Sequence, residues 1–199
     1  LPLFVAIFYG ENLTKVFGLG MSSLVLLGFL SWFFTKDNKQ ELSLSDGFVI
    51  TVLFWIVLSV SGSIPFLLFG FSVVDSFFES MSGITTTGAT VIAGLDDLPK
   101  SLLIYRQLLQ WLGGMGLIVL AIAVMPLLGI GGGQLFKTQT PGPMSEQRLT
   151  PRITSTARAL WSIYFVLTVL CIFAYRLAGM NYFDAVSHAF STVSIGGFS

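Results

Sequence analysis

The chain alternates long apolar runs with short polar breaks. Residues 1–10 read as the tail of a membrane helix, "ENLTK" (11–15) as a polar turn, and 17–34 as a second apolar run. Gly18, Gly20, Ser22 and Ser23 in that run offer small faces for close helix contact. A polar loop, "TKDNKQELSLSD" (35–46), leads to a third run over 47–69. Its "FVITVLFWIVLSVSGSIPFLLF" reaches about 33 Å as a helix, enough to span a bilayer, and Pro65 predicts a kink or taper near its end. A long run over 101–129 and another over 158–178 follow, separated by a polar, glycine-rich stretch at 130–157. Gly113, Gly114 and Gly116 in the longer run permit bending or close packing.

Two stretches break this rhythm. "DSFFESMSGITTTGAT" (75–90) and "DAVSHAFSTVSIGGFS" (184–199) each begin with a short amphipathic segment, over 75–83 and 182–192, and end in a strand of small polar residues. The helical parts are too short to cross a bilayer. Asp75 or Ser76 is expected to cap the first, Ser76 and Glu79 having capping-box spacing, and Asp184 to cap the second.

Charge places them. Lys36 and Lys39 in the 35–46 loop, and Lys137, Arg148 and Arg152 in the 130–157 loop with Arg158 beyond, mark both loops as cytoplasmic. Alternating spans then require the segment 75–98 to enter and leave on the outer side. It reads as a re-entrant hairpin, a backbone geometry tolerated at membrane depth only when buried in protein or lining a polar cavity. The second stretch repeats the first 109 residues on: Asp75 matches Asp184, Ser82 matches Ser191 and Gly88 matches Gly197. The preceding spans keep the same offset. The fold class is therefore an all-α polytopic membrane protein with repeated membrane helix–pore loop–membrane helix units of K⁺-channel-like type.

Composition narrows the class further. Hydrophobic residues make up 54% of the 199 and charged residues only 10%, against about 25% in soluble domains. Net charge is zero, which gives no support for nucleic-acid binding, and the lone Cys171 reads as a packing residue. The chain opens inside an apolar run without a start methionine and stops behind a glycine-rich motif, so both ends read as cut.

A cation in a membrane must exchange its water shell for other oxygens, and rings of backbone carbonyls supply them in K⁺ channels. A strand of Thr, Gly and Ser can aim successive carbonyls inward, and the descending helix brings its partial negative end toward the membrane centre. The carbonyls of Thr86, Thr87 and Gly88, and of Ile195, Gly196 and Gly197, are the expected ion contacts. Two loops cannot ring an ion. Either two chains dimerise or one longer chain carries four units, and this reasoning leaves both open. Glu79 and its counterpart His188 supply outer-mouth electrostatics or structural support, and Arg106 either pairs with a carboxylate such as Glu79 or snorkels. Asp96 and Asp97 could weakly concentrate cations. No nucleophile–base pair, metal cluster or phosphate-binding motif suggests an enzyme. A secondary transporter with broken helices, coupling the cation to another ion, is the closer rival, although such folds usually show inverted repeats while these units enter from one side.

"FFESMSGITTTGAT", "YRQLLQWLGGMGLIVLAIAVMPLLGIGG", "PGPMSEQRLTPR" and "AGMNYFDAVSHAFSTVSIGGFS" closely resemble the N-terminal part of the TrkH/TrkG/KtrB superfamily of bacterial K⁺ transporters. The resemblance implies four helix–pore-loop–helix units in one polypeptide, with an extra N-terminal helix pair. It implies boundaries at 1–46 for that pair (its first helix truncated) with its loop, 47–129 for the first unit, 130–157 for a cytoplasmic linker and 158–199 for a second unit cut after its filter strand. It places filter strands on Thr86, Thr87 and Gly88 and on Ile195, Gly196 and Gly197. It also implies selective K⁺ uptake across the inner membrane, with K⁺ as the transported ion and no organic cofactor. A homodimer in membrane lipid and a cytosolic nucleotide-binding regulator of TrkA type are the implied partners. The third and fourth units, and the gating loop of the third, lie outside this sequence, so this fragment alone should not form a selective pore.

Overall fold

The computed structural model describes residues 1–36, 44–124 and 149–198. Among the described residues seven α-helices run in order: α1 (Pro2–Phe8), α2 (Thr14–Thr35), α3 (Leu44–Phe69), α4 (Val73–Ile84), α5 (Lys100–Val124), α6 (Leu149–Leu177) and α7 (Tyr182–Val193), with a 3₁₀ turn at Leu95–Asp97. Among the described residues three stretches are long and apolar enough to cross a membrane: Thr14–Thr35, Val49–Phe69 and Ser155–Leu177. α5, at 25 residues, has a length of about 37 Å.

Several boundaries differ from the sequence reading. Helix α2 begins inside the expected polar turn, α3 begins within the 35–46 loop, and α6 begins at Leu149, inside the stretch read as linker. In each case polar residues occupy the first turn of a helix whose apolar body carries it onward. Lys39, Lys137 and Arg148 lie outside the described residues. Pro65 is accommodated inside α3, and its ring packs on Gly20 of α2, where an added Cβ would stand 3.5 Å from Pro65 Cγ.

The internal repeat extends to individual hydrogen bonds. α3 and α6 end alike: Gly70 (φ +117) and Gly179 (φ +97) adopt left-handed backbone, which glycine allows without steric cost. The Phe71 N–H donates to Phe66 O at 3.2 Å, and the Met180 N–H to Tyr175 O at 3.1 Å, closing a Schellman turn in each. Two residues later each short helix starts on a side-chain cap. Ser72 Oγ accepts from the Asp75 N–H at 3.1 Å, and Asn181 Oδ1 accepts from the Asp184 N–H at 2.8 Å.

The caps are therefore Ser72 and Asn181, not Asp75, Ser76 and Asp184. Asp75 and Asp184 sit one turn in and accept a further bond from the cap side chain, Ser72 Oγ at 2.8 Å and Asn181 Nδ2 at 2.5 Å. Ser76 is fully buried inside the helix. Both short helices are 12 residues long, because the Schellman turn positions a polar cap three residues before the aspartate.

The N-terminal hairpin holds the start of α5. Glu11 accepts from the Lys100 N–H at 2.7 Å and the Ser101 N–H at 3.1 Å, capping that helix from a distant part of the chain. Tyr105 donates from its hydroxyl to Gly62 O at 2.7 Å, tying α5 to α3.

Candidate functional site: two backbone strands meeting beneath α5

Each short helix ends in the same turn. In the first, Thr85, Thr86 and Thr87 donate their N–H groups to Met81, Gly83 and Ser82 carbonyls at 2.9, 3.0 and 2.9 Å. In the second, Ser194, Ile195 and Gly196 donate to Phe190, Thr192 and Ser191 carbonyls at 3.3, 3.0 and 2.9 Å. Register is kept residue for residue. Beyond the turn, φ is positive at Thr86 (+55) and Gly88 (+76), and at Ile195 (+58) and Gly197 (+78), while Thr87 and Gly196 between them are not. Thr86 and Ile195 are β-branched and pay about 1–3 kcal/mol of strain for this conformation. Alternating left-handed backbone turns successive carbonyls toward one side, where an extended strand would alternate them. Among the described residues no N–H or O–H donates to the carbonyls of Thr86, Thr87, Gly88, Ile195, Gly196 or Gly197.

The two strands touch. A Cβ on Gly88 would collide with the Gly196 carbonyl oxygen, so Gly88 is required both by its φ and by the approach of the second strand. Helix α5 lies behind both. A Cβ on Gly113 would strike the Ile84 carbonyl at the end of α4, and one on Gly114 would lie 3.0 Å from Ser194 Cβ at the end of α7 and 3.0 Å from Tyr164 Oη of α6. These adjacent glycines serve close packing, each toward a different short helix.

Polar residues of α5 complete the support. Arg106 and Glu79 are each 1% exposed and form an ion pair, with Arg106 Nε and Nη2 both 2.6 Å from Glu79 Oε1. Thr90 donates its hydroxyl to Glu79 Oε1 at 3.0 Å, and the Val91 N–H reaches Oε2 at 3.3 Å. Arg106 also donates to Thr90 Oγ1 at 3.1 Å. Its guanidinium lies 4.3 Å from the ring centre of Phe198, just past the second strand. The pair thus grips the first return strand and touches the second. Its opposite charges offset each other inside the protein, which favours structural support over a field at the outer mouth. Snorkelling does not describe Arg106. His188, in the matching position of α7, is half-buried and packs edge-on against Tyr175 at 6.2 Å.

Sequence reasoning missed Gln107, Gln110 and Phe198, along with the link from Trp111 Nε1 to Thr168 Oγ1 at 2.9 Å. A signal existed: Arg106, Gln107 and Gln110 share one helical face within an otherwise apolar span, the pattern of side chains that hydrogen-bond across a membrane bundle. Among the described residues no group of His, Cys, Asp and Glu could hold a metal ion.

Residues 13–199 match the TrkH family, described as cation transport protein. The chain belongs to the TrkH family. It is 54% identical over its whole length to the Trk system potassium uptake protein TrkH of Vibrio parahaemolyticus, covering 41% of that protein. Against the Trk system potassium uptake protein TrkG of Escherichia coli K12 it is 47% identical, again over its whole length and 41% of the relative. The crystal structure of the potassium transporter TrkH from Vibrio parahaemolyticus superposes with a TM-score of 0.85 at 51% identity, covering all of this chain and 40% of that one. The chain therefore spans about two fifths of the length of these relatives. Its three described helices that are long and apolar enough to cross a membrane accord with a family described as cation transport protein.

Proposed function

We propose that the full-length protein takes up K⁺ selectively across the inner membrane, and that the carbonyls of Thr86, Thr87 and Gly88 and of Ile195, Gly196 and Gly197 form two parts of its filter. The observation that carries this reading is the pair of strands with left-handed backbone at equivalent positions and six carbonyls that receive no donor from the described residues. Such oxygens suit a dehydrated alkali cation, whose hydration they can replace while carrying no formal charge themselves. The short helices add their C-terminal partial negative charge at the inner end of each strand. A longer chain with two more such units supplies the remaining oxygens.

The segments over 1–46, 47–129, 130–157 and 158–199 act as helix pair, first unit, linker and second unit, with α6 extending the second unit back to Leu149. Glu79, Arg106 and His188 act as structural support. The protein works as a homodimer in membrane lipid with a cytosolic nucleotide-binding regulator of TrkA type, a partnership supported by its family.

K⁺, Rb⁺ and Na⁺ flux through the full-length protein tests the assignment, with Gly88→Ser and Gly197→Ser assayed separately. Each is expected to lower K⁺/Na⁺ discrimination. Wild-type discrimination in both overturns the filter assignment.

A further inference from the structure

The two filter strands are identical in their turns and differ in what holds them. In the first, Ser82 Oγ donates to the Ala89 carbonyl at 2.6 Å, so the short helix secures its own return strand. The equivalent hydroxyl, on Ser191, is 1% exposed and has no partner among the described residues. The equivalent carbonyl, on Phe198, instead accepts from Gln107 Nε2 at 3.0 Å. Gln110, fully buried, accepts the Phe198 N–H on its Oε1 at 3.3 Å, and its amide fills the space where a Cβ on Gly196 would stand. Both glutamines belong to α5, the closing helix of the first unit.

We propose that Gln107 and Gln110 are positioning residues for the second filter strand, which is held by the neighbouring unit, whereas the first strand is held by its own short helix. The proposal rests on the transport reading above for its effect on ions, but not for the hold itself. The geometry explains how the hold acts. The Phe198 N–H and the Gly197 carbonyl share one planar trans peptide and point in opposite directions. An acceptor that takes the N–H from behind therefore aims the Gly197 carbonyl forward. Gln107 anchors the next carbonyl, which belongs to the following peptide, from the same helix face, so the two amides together fix the peptides on either side of the Phe198 Cα. Arg106 beside them stacks on the Phe198 ring and limits its sideways movement. Gln107 Oε1 and Gln110 Nε2 are an acceptor and a donor buried on this face with no partner among the described residues.

Four variants of the full-length protein test this: Gln107→Met, Gln110→Met, Ser82→Ala and Ser191→Ala. Each is read by K⁺/Na⁺ flux ratio and by amide hydrogen exchange in detergent. Each Met variant is expected to lower the flux ratio about fivefold, the factor one hydrogen bond of ordinary net strength supplies. Each should also speed exchange at 194–198 and leave 85–91 as in wild type. Ser82→Ala should do the reverse, and Ser191→Ala should change neither segment. Folded Met variants with wild-type exchange at 194–198 and an unchanged ratio overturn the proposal. If the Met variants do not fold, the serine pair decides. A Ser191→Ala effect at 194–198 as large as that of Ser82→Ala at 85–91 overturns it, and a silent Ser191→Ala beside an active Ser82→Ala sustains it. A wild-type protein without K⁺ selectivity removes the transport reading alone, and the exchange data still decide the hold.

Discussion

The first and second short helices with their return strands share a template and diverge in their supports. Both have a Schellman turn, a polar cap, a 12-residue helix and two left-handed residues at fixed positions. The first then uses a buried ion pair, Glu79 with Arg106, to bind Thr90 and Val91. The second has His188 in place of the carboxylate and leans on amides from the preceding unit. Backbone chemistry, which must present carbonyls in one geometry, is common to both. Side chains behind the strand need only hold it, and different groups can do so. Any asymmetry between the two loops thus comes from their supports.

The largest way to break this comparison is Arg106→Leu. It strands Glu79 as an unpaired buried charge and is expected to cost about 3–5 kcal/mol, read as loss of folded yield and a lower melting temperature in detergent. Replacing Glu79 with Leu as well should restore most of that loss. Full recovery of stability with altered exchange only at 85–91 would assign the pair to the first loop alone.

Next come the glycines of α5. Gly113→Ala drives a methyl into the Ile84 carbonyl and is expected to cost about 1–3 kcal/mol, whereas Gly114→Ala meets Ser194 Cβ and Tyr164 Oη at 3.0 Å and Ser194 Cα at 3.2 Å, a milder overlap that should cost less. Thermal melting of the two variants ranks them, and equal losses would mean that α5 presses both short helices alike.

Within the strands, Gly197→Ala meets only the left-handed penalty of about 1–2 kcal/mol, since nothing lies near its Cβ position. Gly88→Ala adds a collision with the second strand. Its flux ratio should therefore fall further than that of Gly197→Ala, and the opposite order would sink the contact between strands.

The smallest effect tests the shared part. Ser72→Ala and Asn181→Ala each remove a cap and should each cost about 1 kcal/mol, read by thermal melting. Unequal losses would show that the two short helices differ at their outer ends as well.

How much was visible beforehand varies by feature. The two short helices were visible as amphipathic segments too short to span a bilayer, and the structure has both, at 12 residues each. The 109-residue repeat was visible in Asp75, Ser82 and Gly88 and their counterparts. Helix starts were misplaced because Asp75 and Ser76 are good caps in isolation, while the true cap follows from where Gly70 turns the chain. Gln107 and Gln110 stayed hidden because their partner, Phe198, lies some 90 residues away and contributes only backbone atoms.

By itself the sequence determined the membrane class, the repeated unit and the glycines that make a carbonyl-lined strand possible. Those are local properties, set by hydropathy, charge and allowed dihedral angles. Only the tertiary structure decided that the strands meet at Gly88 and Gly196, that Arg106 pairs with Glu79, and that Gln107 and Gln110 of α5 hydrogen-bond to Phe198. Each of these depends on which groups the packed helices bring within hydrogen-bond reach, and a strand recognised through its backbone leaves no trace in its own side chains.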